Sequence, residues 1–313
     1  MPEEVLVSLE TGDDAAAYAL DERRALLATV DFFTPIVDDP YDWGRIAAAN
    51  AFSDLYAMGG APALALNLVS WPVEELPLEL LGEVLRGGAD VAREAGAVVV
   101  GGHSITDPEP KYGMVALGFA PRDGLVRNST AVAGAGLFLT KPLGTGIIST
   151  AIKAGKASRE QVRAAVDAMV ALNAAAARAM VAAGAEAATD VTGFGLLGHL
   201  HAMLRASGLA ARVDASAVPL LPGVLDLARA GVVPGGTRRN HAFVRPEVAW
   251  GDLTEPEQLV LADAQTSGGL LIAATDREGL VRELEARGRS WWEIGVTLAG
   301  APGRVEVVGR VRG

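Results

Sequence analysis

Apolar and polar positions along the chain change period several times, and the changes predict an alternation of strands and helices. In the first half, residues 24–33 read as a strand, 43–58 as a helix and 63–71 as a strand. A second helix follows over 77–96, then strands over 97–101 and 112–119. Residues 121–136, with Asp-Gly, Asn-Ser-Thr and alternating Gly and Ala, make the best boundary between two units. The second half opens with a strand over 137–140 and continues with helices over 147–154, 159–183 and 196–207. A strand near 211–213, short helices over 223–230 and 258–265, a strand over 269–274, a helix over 277–287 and a closing strand over 304–310 complete it. Two α/β layers in tandem is the expected architecture, with domains over 1–130 and 131–313. At about 150 residues per domain, a chain of 313 residues accommodates both.

Composition narrows the partners. The chain carries 27 Lys and Arg against 38 Asp and Glu, a net charge of −11. Such a surface repels polyphosphate backbones, so general nucleic-acid binding is not expected, and an anionic ligand requires local cations or metal ions. There is no cysteine, which excludes disulfides, thiolate zinc sites, iron–sulfur clusters and a cysteine nucleophile in this chain. The N-terminal residues show no basic segment followed by an apolar one, so no signal peptide is expected there. The most membrane-like stretch, 164–185, contains Asp167, Asn173 and Arg178. A charge at a bilayer centre costs ~2.5–3.5 kcal/mol, which alanines cannot offset. A core-facing helix in a soluble, cytoplasmic protein without membrane contact is the expectation.

Several chemistries have no motif here. There is no phosphate-binding G-x-x-x-x-G-K-[ST], no H-E-x-x-H and no G-x-S-x-G, and Gly144-Thr145-Gly146 lacks the third glycine of a dinucleotide fingerprint. The four histidines, His103, His199, His201 and His241, form no close-spaced ligand set. Carboxylates stand out instead. Asp13-Asp14 follow Thr11-Gly12 in a turn, Asp31 closes an apolar strand, and Asn50 and Asp54 share one face of an otherwise apolar helix. Asp190 opens Asp190-Val191-Thr192-Gly193-Phe194-Gly195, and Gly101-Gly102-His103-Ser104 caps a strand that reads as buried. Each has an ordinary reading: a turn aspartate, a solvated strand end, a helix N-cap, a plain glycine turn. Carboxylates converging on one pocket would repel by ~4 kcal/mol per close pair at an effective dielectric near 20. Hard divalent cations relieve that repulsion, and Mg²⁺ takes one or two carboxylates together with nucleotide phosphates. The residues alone therefore point to a Mg-nucleotide enzyme.

The runs Thr11–Ala16, Thr29–Asp38, Gly44–Gly60 and Gly101–Ser104 resemble selenophosphate synthetases (selenide, water dikinases) of the aminoimidazole-ribotide-synthetase-like superfamily. So do Leu139–Gly146, Thr189–Leu200 and Gln265–Leu270. The resemblance runs from about Glu10 to the C-terminus, and the Asp190 block is its most specific part. It implies an α/β (α+β) fold of two domains, the N-terminal one pairing through a β-barrel in a homodimer and the C-terminal one a mixed sheet with helices. It implies synthesis of selenophosphate from selenide, ATP and water, with release of AMP and orthophosphate. By position, Asp14, Asp54 and Asp190 match Mg²⁺ ligands, and Asp31 and Asp54 lie at the nucleotide. Thr11, Gly12 and Asp13 match an ATP-binding turn, while Gly102, His103 and Ser104 match a nucleotide contact contributed across the dimer.

The chain also departs from that pattern. Members of the family carry, ahead of the first Asp-Asp, a glycine-rich segment with a Cys or selenocysteine and a nearby catalytic Lys. The 12 residues before Asp13 contain neither, and the first lysine is Lys111. No catalytic residue is therefore assigned, and the expectation is a chain shortened at its N-terminus. The alternatives are a catalytically silent Mg-nucleotide-binding paralogue with a regulatory role, or a small-molecule kinase of the same superfamily. Ala264 stands where the family usually has proline.

Overall fold

A computed structural model of the chain describes residues 2–8 and 12–312. Its N-terminal unit contains β1 (Val5–Val7), β2 (Ala16–Ala19), β3 (Arg24–Phe33), α1 (Pro40–Ala57), β4 (Ala61–Trp71), α2 (Leu78–Glu94), β5 (Val98–Thr106) and β6 (Lys111–Pro121). The strands form one open sheet in the order β1-β2-β3-β6-β4-β5, with β4 and β5 parallel and the other pairs antiparallel. Among the described residues a single chain thus closes no barrel. Alternation along the strands sends Leu27, Thr29 and Asp31 of β3, and Tyr112, Met114 and Ala116 of β6, towards α1. Val30, Phe32 and Phe119 lie on the uncovered face.

Helix α1 starts where Asp39 accepts a hydrogen bond from the Asp42 amide at 2.9 Å and Pro40 occupies the first turn. It is buried on nearly every side, which is why it reads as apolar all round rather than striped. Small residues let it approach its neighbours closely. A Cβ on Gly44 would lie 2.0 Å from the Val84 carbonyl oxygen of α2, and one on Gly87 2.2 Å from that of Tyr41.

The C-terminal unit contains β7 (Gly136–Leu139), α3 (Thr145–Lys153), α4 (Arg159–Val170), α5 (Ala174–Ala182), β8 (Ala187–Asp190), α6 (Gly195–Ser207) and β9 (Ala210–Asp214). It continues with α7 (Val224–Arg229), α8 (Gly235–Val244), β10 (Val248–Ala249), α9 (Glu255–Leu261), β11 (Leu270–Ala274), α10 (Arg277–Ala286), β12 (Trp292–Leu298) and β13 (Val305–Val308). The mixed sheet runs β10-β13-β9-β12-β7-β11-β8. Strands β7 and β11 are buried throughout, so each reads as a continuous apolar run. Strand β12 escaped the pattern because its register shifts between Glu293 and Gly295; β8, β10 and α8 are short or rich in Ala and Gly.

The helix expected over 159–183 is two helices, α4 and α5, bent by 50°. The break has a tertiary cause. Asn173, 4% exposed, turns its amide inward and donates to Ser53 Oγ of α1 at 2.9 Å and to the Gly268 carbonyl at 2.9 Å. Among the described residues no single helix is long and apolar enough to cross a membrane. Replacing Asn173 with Ala removes both bonds and leaves their buried partners short, so urea denaturation is expected to show a loss of about 1–3 kcal/mol.

Candidate active site at the domain junction

Period-2 spacing puts Thr29 and Asp31 on the α1-facing side of β3, and period-3.6 spacing puts Asn50 and Asp54 on the β3-facing side of α1. The two elements meet through polar bonds. Asn50 Nδ2 donates to Asp31 Oδ2 at 2.9 Å, and the Thr29 hydroxyl donates to Asp54 Oδ2 at 2.5 Å. Asp14 lies just before β2 and accepts from the Thr189 hydroxyl of β8 at 2.7 Å. Asp190, the last residue of β8 and 1% exposed, receives a hydrogen bond from Ser53, which Asn173 in turn holds. Carboxylate oxygens of Asp14, Asp54 and Asp190 all lie within 4.8 Å of one another, although the residues are 40 and 136 positions apart.

Burial and mutual repulsion tell on these groups. Burial, then the neighbouring Asp190, raises Asp14 well above the ordinary carboxyl range. Asp54 is raised by burial and then by Asp190, Asp31 and Asp14. Asp31 is pushed up to about 6 by burial and Asp190, against the bond from Asn50. Asp190 is raised by burial to about 6, against Ser53 and the charge of Lys141. Lys141 is itself buried, and its ammonium is depressed to about 7 by burial, against the attraction of Asp190. Its Nζ donates to the Ser267 carbonyl at 2.8 Å rather than to a carboxylate.

The donor set suits a hard cation. It is all oxygen, it spans both domains, and the buried Oδ2 of Asp190 has no hydrogen-bond partner. Asp190 is thus neither solvated nor a helix cap. The loop Gln265–Gly269 seals the junction from below. Ser267 sits at φ +47°, strained for a residue with a Cβ, and its amide donates to Asn50 Oδ1 at 2.8 Å. Ala264 donates its N–H to Thr237 Oγ1 at 3.1 Å, a bond that proline has no hydrogen to make.

Other expected residues lie elsewhere. Asp13 Oδ1 accepts from the Asn128 amide at 2.7 Å, and the Gly12 carbonyl accepts from Asn128 Nδ2 at 2.8 Å, so this turn is pinned to the inter-domain connection. Thr11 lies outside the described residues. The run Gly101–Ser104 does not cap a buried strand: it lies inside β5, an exposed edge strand. Gly102 is held against β4, where a Cβ would meet the Asn67 carbonyl oxygen at 2.2 Å. The cross-sheet row Gly102–Asn67–Met114–Asp31 separates Gly102, and with it His103 and Ser104, from Asp31 by three strand spacings, about 14 Å. His199 and His201 are structural. Nε2 of His199 accepts from the Thr192 amide at 3.2 Å, with burial depressing the imidazole to about 4, and Nδ1 of His201 meets the Gly303 carbonyl at 2.9 Å. Thr29, Ser53, Asn173, Thr189, Lys141 and Ser267 were not singled out from sequence. Thr29, two residues before Asp31, and Ser53, three after Asn50, had a periodic signal; the others had none.

Comparisons with known proteins follow this geometry. Residues 12–120 match the family model for AIR synthase related protein, N-terminal domain, and 132–308 that for the C-terminal domain. The fold and its junctional carboxylates therefore define an AIR synthase related protein. The thiamine-monophosphate kinase of Stenotrophomonas maltophilia shares the fold, with a TM-score of 0.72, 21% identity, and coverage of 99% of this chain and 93% of that one. The selenide, water dikinase of Myxococcus xanthus is 49% identical over 98% of this chain and 88% of its own length. That of Carboxydothermus hydrogenoformans is 46% identical over 96% of this chain and 88% of its own. The chain belongs to the selenide, water dikinase family.

A raised carboxyl pKa stabilises the folded chain only while the proton is held. That contribution is full below the unfolded value of ~4 and fades as pH climbs through about 6. Lys141 acts in the window above about 7, and His199, depressed to about 4, opposes part of the fall only up to its unfolded value of ~6.5. In EDTA the melting temperature is expected to fall between about pH 5 and 7.5, and Mg²⁺ to restore more at the higher pH. Asp190→Asn should flatten both responses; unchanged pH and Mg²⁺ profiles in that variant would remove Asp190 from the cation site.

Proposed function

We propose that the chain forms the ATP- and Mg²⁺-binding body of a selenide, water dikinase, making selenophosphate from selenide, ATP and water with release of AMP and orthophosphate. The observation that carries this reading is the convergence of Asp14, Asp54 and Asp190 from both domains, with a buried Asp190 oxygen left unpartnered. The names of the relatives, at 46–49% identity over nearly the whole chain, support the substrate assignment.

Those three carboxylates would hold Mg²⁺, which supplies charge neutralisation for the phosphates and for the groups that leave them. The protein's own part is positioning. Thr29 fixes the Asp54 carboxylate, Asn50 fixes Asp31, and the chain Asn173–Ser53–Asp190 holds the deeply buried ligand from the other domain. Lys141 leaves a positive charge beside Asp190 without neutralising it by direct contact. Burial at the junction keeps these groups in a low-dielectric setting where charge pairing with phosphate is strong.

The reading includes a homodimer. The sheet face opposite α1 exposes Val30 and Phe32 on β3, Leu64 on β4, and Val98 and Ile105 on the edge strand β5, an apolar surface that reaches the free edge of the sheet. Joining two copies at their free sheet edges, with these apolar faces turned inward, would close the sheets into a barrel. It would also carry Gly102, His103 and Ser104 of one copy to the nucleotide of the other, which supports their assignment despite the separation within one chain.

Calorimetry is expected to show Mg²⁺-dependent ATP binding that falls at least a hundredfold in Asp54→Asn, a loss of about 2.7 kcal/mol or more. Under anaerobic conditions with Mg-ATP and selenide, phosphorus NMR should show AMP and selenophosphate. ADP as the product would indicate a single-transfer kinase, and Mg-ATP binding without turnover a nucleotide-binding body alone. Phe32→Asp should yield a monomer by sedimentation; an unaltered dimer would place the interface elsewhere.

A further inference from the structure

A second cleft, about 860 Å³ in volume, opens between the C-terminal end of α1, the start of β4 and helix α5. None of Asp14, Asp31, Asp54 or Asp190 lines it. Its charged lining is cationic on balance: Arg178, Arg287 and Arg289 against Glu94. Arg287 is paired with Glu283, but neither Arg178 nor Arg289 takes part in an ion pair among the described residues. In a chain with a net charge of −11, two unpaired guanidinium groups at one cleft mark a place where an anion is favoured. Tyr56 is the independent observation. It lines the same cleft, is only 4% exposed, and its buried hydroxyl has no hydrogen-bond partner. Buried hydroxyls are ordinarily satisfied, so this one is a donor waiting for an acceptor. The charge of Arg178 bears on that hydroxyl, as does that of Glu94.

We infer that this cleft binds a small organic phosphate monoester. The guanidinium groups of Arg178 and Arg289 suit phosphate oxygens, and the Tyr56 hydroxyl adds one further donor. Leu172, Val181 and Phe119 give the cleft an apolar wall, and its volume lies within the range of small-molecule sites and well beyond a lone phosphate. The occupant would touch both domains, Tyr56 from one and the arginines from the other.

The test uses the full chain with AMP and inorganic phosphate as probes in EDTA, so that divalent-dependent binding at the carboxylates is absent, with phosphorus NMR as the readout. AMP is expected to bind, and more tightly than inorganic phosphate. Arg178→Glu and Arg289→Glu should each weaken AMP binding at least tenfold. Tyr56→Phe should weaken it several-fold with an unchanged melting temperature, since the lost hydroxyl had no partner to strand. Asp54→Asn should leave it unaltered. No AMP binding in EDTA, an affinity in the two Arg→Glu variants equal to that of the unaltered chain, or loss of binding in Asp54→Asn would each overturn the assignment. The last result would move the AMP to the carboxylate pocket, and none of these outcomes bears on Mg-ATP binding there.

Discussion

Four carboxylates brought together out of water, at the seam of two domains, are the constraint around which this molecule is arranged. Each close pair among Asp14, Asp31, Asp54 and Asp190 would cost ~4 kcal/mol if both were ionised at an effective dielectric near 20. Burial raises all four carboxyls, repulsion from neighbouring carboxylates raises Asp14, Asp31 and Asp54 further, and oriented donors oppose the rise. Thr29, Asn50, Ser53 and Thr189 each contribute one. What remains is an unpartnered Asp190 oxygen and an excess of negative charge, which is what a hard cation with phosphate ligands would complete.

Helix α1 makes the arrangement possible. It presents Asn50 and Asp54 to β3, Ser53 to Asp190 and Asn173, and Asn50 Oδ1 to the Ser267 amide, so one helix meets site segments of both domains. Its alanines and Gly44 let it sit deep enough to do this. The same burial explains the bend between α4 and α5. A straight helix would carry Asn173 past Ser53, and the bond between them ties the orientation of Asp190 to the packing of the domains.

Much of this was legible along the chain. The strand that ends near Asp31, the helix carrying Asn50 and Asp54, and the loop-rich connection before β7 follow from period and turn chemistry, which are local properties. Elements whose signals depend on neighbours were not legible. Strand β12 is interrupted by its bulge, β8 is only four residues long, and nothing within 159–183 announces the break at Asn173. The placement of the glycine pair differs from expectation for a related reason. A Gly-Gly run looks like a turn, yet Gly102 is inside an edge strand because the β4 backbone passes too close for any side chain.

The sequence by itself determined the two-layer α/β plan, the acidic balance that calls for cations around any phosphate, and the identity of the carboxylates worth watching. Hydrophobic period, charge and motif spacing are carried by residues close together in the chain, and they survive without a fold. Only the tertiary structure decided that Asp14, Asp54 and Asp190 meet, that Lys141 and Ser267 stand beside them, and that Gly102 to Ser104 do not within one chain. Those relations join positions 40 or more residues apart through sheet register and domain packing, and no local pattern encodes a distance of that kind.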